Sequence, residues 1–258
     1  MIRWRLEQIC LAVVFLTRLP LAPFLPRDRI VALDSAIWAF PLAGGIVGTL
    51  AGLPLLIAGP PLLIAAISVT LSVWLTGALH EDGLADFADG MGGQTRERRL
   101  EIMRDSAIGS YGALALILSS ALRLTAVAAL AAVPGGACAG IAALILSAMA
   151  GRAAMAAGLA ALPPARAEGL GHAARSRPGG GMAIARLVVA GLLCLPAAIA
   201  ALMLAGGAVV WALLAGMAAT LVIVGTARRR LGGQTGDVLG TISLTTETAM
   251  LTTFALAV

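Results

Sequence analysis

Long apolar segments alternate with short polar ones along the chain, a pattern typical of helices that cross a bilayer. Each of seven segments has about the 20 residues that a helix needs to span the hydrocarbon core. Three pairs of segments are joined by short turns without a charged residue, at 59–61, 134–136 and 205–208. These turns predict tight hairpins between antiparallel helices. The predicted spans are residues 36–58, 60–79, 109–133, 137–162, 185–204, 207–227 and 239–257.

The other connections are polar and arginine-bearing, and the number of spans places them all on one side of the membrane. They are the N-terminal segment 1–30 and the loops 80–108, 163–184 and 228–238. Short arginine-rich loops stay in the cytoplasm, so we expect the N-terminus and these loops to face it. The N-terminal segment predicts an interfacial helix with Arg3, Arg5 and Arg18 at the headgroups, and not a cleaved signal peptide.

The composition excludes an ordinary soluble domain. Apolar residues make up 60% of the chain and charged residues 12%, whereas about a quarter of a soluble domain is charged. The predicted fold class is all-α, a polytopic integral membrane bundle of about seven transmembrane helices that forms one membrane-embedded catalytic domain, 1–258. The formal charge of +5 suits anionic membrane surfaces or phosphorylated substrates without choosing between them. We expect no nucleic-acid partner.

The acidic stretch "LHEDGLADFADGMGG" follows 45 uncharged residues, 35–79. Asp82, Asp86 and Asp89 stand at i, i+4 and i+7, so they form one stripe on a helix that continues from the second predicted span. Like charges on one stripe repel, and a bound cation would relieve the repulsion. All-oxygen ligation favours Mg²⁺ or Mn²⁺. The alternative, a solvated acidic helix end, is disfavoured because the stripe lacks basic partners at i, i+4.

The neighbours of the stripe are assigned less specific roles. Glu81 lies off the stripe and is predicted to be a solvated neighbour. His80 is either a base or phosphate ligand or a simple interfacial histidine. Downstream, Glu97 and Glu101 fit a solvated amphipathic helix. Arg104 and Asp105 lie where the third span begins, so they are candidates to bind a phosphate and to complete a metal shell.

Two further polar stretches are candidates for ligand binding. The glycine-rich stretch 231–240 opens the last span, where free backbone N–H groups suit an anion or a metal-bound phosphate, although an ordinary turn is the alternative. The basic loop 166–181 either closes over a ligand or is a plain linker. The binding candidates of the glycine-rich stretch are Gly232, Gly233, Thr235, Gly236 and Asp237.

Three charged residues lie inside predicted spans, where each costs at least about 2.5 kcal/mol unless it faces the bundle interior. Arg152 and Glu247 both lie ~15 Å below the cytoplasmic end at 1.5 Å per residue, so they are predicted to pair at the floor of a cavity. Arg123 lies deeper and is predicted to snorkel outward. A purely structural ion pair remains the alternative.

With these motifs in view, the sequence resembles cobalamin synthase, the adenosylcobinamide-GDP ribazoletransferase family. The acidic stretch is similar to that family's His-x-Asp-Gly-Leu-Ala-Asp-x-x-Asp-Gly signature. "RERRLEIMRDSAIGSYG" and "LGGQTGDVLG" resemble its next two motifs in order and spacing, and "FLTRLPL" and "FPLAGGIVG" also match. The resemblance covers nearly the whole chain.

The resemblance implies a Mg²⁺-dependent transferase of a substituted phosphate group in a late step of cobalamin biosynthesis. It would join adenosylcobinamide-GDP to α-ribazole or α-ribazole 5′-phosphate and release GMP. The implied location is the bacterial inner membrane. The sequence leaves open a homo-oligomer or an association with other cobamide-assembly enzymes. It also leaves open the preferred ribazole form and the number of metal ions.

The predicted roles follow from the motifs and from the resemblance together. Asp89 is the first candidate to accept the proton of the attacking ribose hydroxyl. Arg104, followed by Arg152, would stabilise phosphoryl charge. The predicted metal ligands are Asp82, Asp86, Asp89 and Asp105. The predicted substrate-binding residues are His80, Arg152, Gly232, Gly233, Thr235, Gly236, Asp237 and Glu247.

Two other classes of protein share part of this pattern. A CDP-alcohol-type membrane phosphotransferase needs Asp-Gly-x-x-Ala-Arg, but here Asp86 and Phe87 replace the alanine and the arginine. A cation transporter would carry carboxylates at mid-membrane in broken helices, and here only Glu247 lies deep. Both are weaker interpretations than the transferase.

Overall fold

The computed structural model describes residues 2–26, 31–166 and 180–258, and in these ranges the chain is built of helices. Short 3₁₀ turns flank α3, at Ile37–Ala39 and Leu53–Leu56. The α-helices are α1 (Ile2–Leu16), α2 (Leu33–Ala36), α3 (Phe40–Gly52), α4 (Pro61–Thr76), α5 (Leu79–Met91), α6 (Arg96–Ile102), α7 (Ser110–Ala132), α8 (Ala137–Ala161), α9 (Gly180–Ala205), α10 (Ala208–Arg230) and α11 (Gly236–Leu256).

The predicted polytopic helical bundle is confirmed, but the number of seven spans is not. Five helical segments are long and apolar enough to cross a bilayer, and a sixth results only if α4 and α5 count as one broken span. α4 alone is short, with 16 residues. α11 has 21 residues but carries several threonines and Glu247, and most of it is buried by neighbouring helices. The five segments are Leu33–Leu56, Ser110–Ala132, Ala137–Ala161, Met182–Ala205 and Ala208–Arg230.

Glycines bring α3 against α8. A Cβ atom added at Gly48 would lie 2.7 Å from the Cα of Ile145, and one at Gly44 would overlap the carbonyl of Ala148. Gly52, one turn further along, faces the side chain of Ile141. Helices in membranes associate through small residues that let their backbones approach closely. The sequence "FPLAGGIVG" therefore serves as the packing surface of α3.

The junction of α4 and α5 is a sharp bend, which corrects the prediction that the helix of the acidic stripe continues from the second span. Gly77 and Ala78 both adopt left-handed backbone conformations, with φ of 66° and 58°. The amide of Gly77 bonds the carbonyl of Trp74, and that of Ala78 bonds the carbonyl of Val73, which is a Schellman ending. α5 then leaves at 86° to α4. The acidic helix therefore turns back from the direction of α4, and it is not one of the five segments long and apolar enough to cross a bilayer.

The polar connections meet at one end of the bundle, as predicted. Arg96 donates to the carbonyls of Leu231 at 2.7 Å and Ala165 at 2.8 Å, so it joins three of these segments. Gln234 also exchanges backbone hydrogen bonds with the stretch 163–165. The N-terminal segment reaches the same end, where the amide of Arg18 donates to the carbonyl of Leu75.

Candidate active site

Close packing of α5 on the start of α11 brings two acidic motifs together. A Cβ atom at Gly83 would lie 2.9 Å from the carbonyl oxygen of Asp237, so only glycine fits there. The hydroxyl of Thr241 can donate to the carbonyl of Gly83 at 2.9 Å and to that of Asp237 at 2.7 Å. As a result, the carboxylates of α5 and Asp237 act on one another through space.

Asp86 lies at the centre of this concentration of negative charge. Its side chain is half-buried, while Asp82 is exposed. Burial, followed by the charges of Asp237, Asp82 and Asp89, raises the pKa of Asp86 to about 6, and Arg166 acts in the opposite direction. Like charges near one carboxylate disfavour its ionised form. A bound cation would offset this repulsion.

The oxygen donors at this site fit a hard cation whose coordination shell is completed by the substrate. In the described ranges no three acidic, histidine or cysteine side chains form a ready metal-binding group. Magnesium is commonly held by one or two carboxylates together with water and substrate phosphates. Asp82, Asp86 and Asp237 supply oxygen donors of that kind, and the metal site stays a prediction.

Asp89, a predicted metal ligand and proton acceptor, is engaged in a different way. One carboxylate oxygen accepts from the amide of Gly109 at 2.7 Å and the other from the amide of Gly112 at 2.8 Å. A Cβ atom at either glycine would overlap this carboxylate. Asp89 therefore fastens the start of α7 to α5, an arrangement that sequence spacing could not reveal.

Arg104 and Asp105 are both exposed in the connection between α6 and α7. The amide of Ala107 donates to Asp105 at 3.1 Å, so this carboxylate caps its own turn. Arg104 makes no ion pair with the part of the chain described, but it is near enough to Arg166 for the two charges to interact. The structure brings Arg104 to the acidic site more clearly than it does Asp105.

The interpretation of α6 as a solvated amphipathic helix is confirmed. Arg98 pairs with Glu101 at 2.7 Å, and both side chains are exposed. Glu97 is also exposed, with Arg96 at 3.8 Å. The charges that act on Asp86 are those of Asp237, Asp82, Asp89 and Arg166, and neither glutamate contributes to them.

The glycine-rich stretch divides into structural and cleft-lining residues. Gly232 has a φ of 74°, and Gly233 lies where a Cβ atom would overlap the carbonyl of Pro163. Thr235 caps α11, because its hydroxyl accepts from the amide of Val238 at 3.3 Å. A Cβ atom at Gly236 would meet no other atom within 4 Å, so Gly236 and the adjoining Asp237 face open space.

A cleft of about 210 Å³ opens beside these residues. Asp82 and Asp237 give it a charged rim, and the rest of its wall is apolar. Such a site suits a ligand that combines a charged group with a large apolar body. The lining residues are Phe15, Leu33, Phe40, Leu79, Asp82, Gly83, Met155, Leu159, Gly236, Asp237 and Leu239.

A network of buried charges lies deeper in the bundle. The predicted pair of Arg152 and Glu247 is confirmed. The outward direction predicted for Arg123 is wrong, because its side chain is 3% exposed and binds Glu81 at 2.6 Å, Glu247 at 3.4 Å and Ser72 at 2.9 Å. Glu81 is consequently not the solvated neighbour that the sequence suggested. An intramembrane arginine needs a partner, and that need was the one signal that could have revealed this pairing.

The predicted binding residues His80, Arg152 and Glu247 do not line the cleft. His80 is 1% exposed, so it is not the interfacial histidine that was one alternative. Neither ring nitrogen of His80 has a hydrogen-bond partner. Of the residues predicted to bind substrate, the structure brings Gly236 and Asp237 to the open site and leaves these three inside the bundle.

Sequence reasoning missed Arg166, whose side chain donates to the carbonyl of Leu100 in α6 at 2.9 Å. Its charge acts on both Asp237 and Asp86. The interpretation of its loop as a cover for a ligand depends on residues 167–179, which lie outside the described ranges. The sequence offered only the general basic character of that loop, with nothing to distinguish Arg166 from the loop's other arginines.

Comparisons with known proteins agree with the geometry. Residues 8–255 match the family model described as cobalamin-5-phosphate synthase. A relative named adenosylcobinamide-GDP ribazoletransferase from Bradyrhizobium diazoefficiens is 41% identical over 97% of this chain and 94% of its own. Relatives of the same name from Rhizobium etli and Azorhizobium caulinodans are 40% and 42% identical, each over 95% of this chain.

No solved structure matches the chain. The family match spans nearly its whole length, and the relatives that share its length are transferases by name. The motifs of that resemblance are the same ones that α5, the start of α7 and the start of α11 gather at one end of the bundle. The chain therefore belongs to the cobalamin-5-phosphate synthase family of membrane transferases.

Proposed function

We propose that this protein joins adenosylcobinamide-GDP to α-ribazole or α-ribazole 5′-phosphate, with release of GMP. The products are adenosylcobalamin or its 5′-phosphate. The proposal extends the names of the full-length relatives to this chain. The observation that carries it is the meeting of carboxylates from α5 and α11 at the polar end of the bundle, where the charge of Arg166 also acts on them.

The reaction breaks the diphosphate of the donor and forms a phosphodiester with a ribose hydroxyl of the acceptor. Asp82, Asp86 and Asp237 would hold Mg²⁺, which supplies neutralisation of phosphate charge and alignment of the two reacting groups. Arg104 binds a phosphate oxygen of the donor and stabilises the charge that develops there. The apolar wall of the cleft supports the bulky part of a substrate and excludes water from it.

The proton of the ribose hydroxyl passes to a carboxylate at the rim of the cleft. Asp82 suits this role because it is exposed and lines the cleft. Asp89, the first candidate from the sequence, already accepts two backbone amides through both oxygens. We therefore assign the proton to Asp82 and a positioning role to Asp89.

The protein is proposed to lie in the bacterial inner membrane with its polar end in the cytoplasm. The three arginines at the end of α10 lie at the same end as the site, as expected for a cytoplasmic surface. Charged, water-soluble substrates can then reach the carboxylates without crossing the bilayer.

Metal removal tests the proposed function directly. Purified protein in detergent or nanodiscs is expected to release GMP from adenosylcobinamide-GDP only when α-ribazole or its 5′-phosphate and Mg²⁺ are present. EDTA should stop the release, and added magnesium should restore it. Undiminished turnover in EDTA would refute the requirement for a metal ion. GMP release that does not require a ribazole would refute the assignment of a ribazole as the acceptor. If the protein instead transfers a group from a CDP-linked donor to a lipid alcohol, the alternative CDP-alcohol-type phosphotransferase is favoured.

A further inference from the structure

Arg166 is a second cation at the acidic site, and it comes from a different part of the chain than Arg104. It follows the stretch 163–165, which is tied to the start of α11 by hydrogen bonds between Ala165 and Gln234 and between Gln234 and Pro163. Gln234 precedes Asp237 by three residues, so this anchoring brings Arg166 near enough for its charge to act on Asp237 and Asp86. The side chain is half-buried, so its position is constrained by packing.

The guanidinium of Arg166 is held at one terminal nitrogen, which donates to the carbonyl of Leu100 at 2.9 Å and links Arg166 to α6. The Nε atom is buried and has no hydrogen-bond partner. Within the described ranges Arg166 makes no ion pair and its Nη1 atom no hydrogen bond, although its charge acts on Asp237 and Asp86. It is therefore a held cation whose Nη1 atom is not used by the described residues.

Other arginines at this end of the bundle are used differently. Arg96 donates to the backbone carbonyls of Leu231 and Ala165 and so links the loops that carry them. Arg98 pairs with Glu101 in solvent. Arg104 and Arg166, in contrast, approach one another closely enough for their charges to interact. Arg166 also acts on Asp237 and Asp86 without forming an ion pair in the described ranges. Two neighbouring cations of this kind indicate a binding site for an anion that contacts both.

We propose that Arg166 binds the diphosphate of the GDP-linked donor together with Arg104, and so sets the affinity for that substrate. The assignment rests on the proposed function and adds to it a second phosphate-binding residue. A guanidinium presents a planar fork of donors that matches two phosphate oxygens at once. The pair of arginines would then bind non-bridging oxygens of the diphosphate, and the carboxylates would act on it by holding the metal ion.

The electrostatics of Arg166 agree with this arrangement. Burial lowers the pKa of its guanidinium, Arg104 adds to that effect, and Asp237 and Asp86 oppose it. A diphosphate between the two arginines would remove their mutual repulsion.

The test compares Arg166→Gln and Arg166→Lys with the wild-type protein, and Arg98→Gln is the matched control on α6. Binding of GDP and of guanosine is measured by competition, and KM is measured for adenosylcobinamide-GDP and for α-ribazole. In Arg166→Gln we expect affinity for GDP and for the donor to fall by about 10- to 100-fold, the range for a charged hydrogen bond. Guanosine affinity and KM for α-ribazole should stay near the wild-type values.

The two variants separate binding from folding. Arg166→Lys keeps the charge and can still reach the carbonyl of Leu100, but it lacks the fork, so part of the loss for GDP should remain. Arg98→Gln should leave every value unchanged. Equal GDP affinity in Arg166→Gln and wild type overturns the proposal, as does an equal loss for GDP and guanosine.

The outcome for Arg166 is distinct from the outcome for the proposed function. GMP release by the wild-type protein, and its dependence on a ribazole, decide the function. The difference between GDP and guanosine decides the role of Arg166 even in a protein that does not turn over. A selective loss for GDP in a protein without GMP release would support the binding role and refute the proposed reaction.

Discussion

At the scale of single residues, the site is defined by which carboxylates remain available. The acidic helix carries three aspartates at helical spacing, but both oxygens of Asp89 accept backbone amides. Asp82 is exposed, and Asp86 is half-buried among other charges. Asp237, from the other end of the sequence, joins these two. We therefore expect the proposed chemistry to involve Asp82, Asp86 and Asp237.

Asp86→Asn should abolish GMP release, with a loss of about 100-fold or more, because one oxygen donor and its charge disappear from the site. Insertion into the membrane should persist, since Asp86 makes no hydrogen bond within the described part of the chain. GMP release and the yield of folded protein after extraction provide the two measurements. Wild-type turnover by this variant would contradict a role for Asp86 in holding the metal.

Gly112→Ala should displace the carboxylate of Asp89, because the new Cβ atom would occupy its place. The loss of the cap is expected to destabilise the start of α7 by about 1–2 kcal/mol and to reduce turnover. Thermal unfolding in detergent measures the first effect. The control is Gly191→Ala in α9, where a Cβ atom meets nothing within 4 Å. A variant at Gly112 as stable as that control would exclude this function for Asp89.

At the scale of elements, small residues and one bend decide how the helices meet. α3 packs on α8 through glycines, and α5 turns away from α4 at Gly77 and Ala78. The lengths of the apolar segments in the sequence predicted the helices well, because backbone polar groups in lipid must form their hydrogen bonds within a helix. They did not predict the bend, because it depends on a left-handed conformation at Ala78, which alanine rarely adopts.

Gly48→Ala should weaken the contact of α3 with α8, because its Cβ atom would lie 2.7 Å from the Cα of Ile145. Overpacking of this kind costs typically about 1–3 kcal/mol. Gly45→Ala is the matched control, since the nearest atom there is the flexible side chain of Met149 at 3.5 Å. Thermal melting of both variants should show a lower midpoint for the first alone. Equal midpoints would mean that α3 can shift without cost.

At the scale of the whole molecule, buried charges connect helices that are far apart in sequence. Arg123 of α7 binds Glu81 of α5 and Glu247 of α11, and Glu247 also binds Arg152 of α8. This network holds the first turn of α5 against α7 and α11 inside the bundle. The sequence predicted the pair of Arg152 and Glu247 from their equal depths. It could not predict Glu81, because the bend turns that residue inward.

Arg123→Met should leave Glu81 without its cation and destabilise the bundle by about 3–5 kcal/mol, the usual consequence of breaking a buried pair. Adding Glu81→Gln should recover part of that stability, because the unpaired carboxylate is then neutral. Denaturation of the single and double variants in detergent measures the coupling between the two side chains. Additive losses in the double variant would show that the two residues act independently.

The perpendicular course of α5 has one more consequence. Seven residues separate Asp82 from Asp89, a distance of ~10 Å along a helix at 1.5 Å per residue. A helix that ran straight on from α4 would carry these aspartates progressively farther from the bundle. The bend of 86° instead returns α5 against α7 and α11. Asp82 and Asp86 thereby stay beside Asp237, which a straight helix would have left behind.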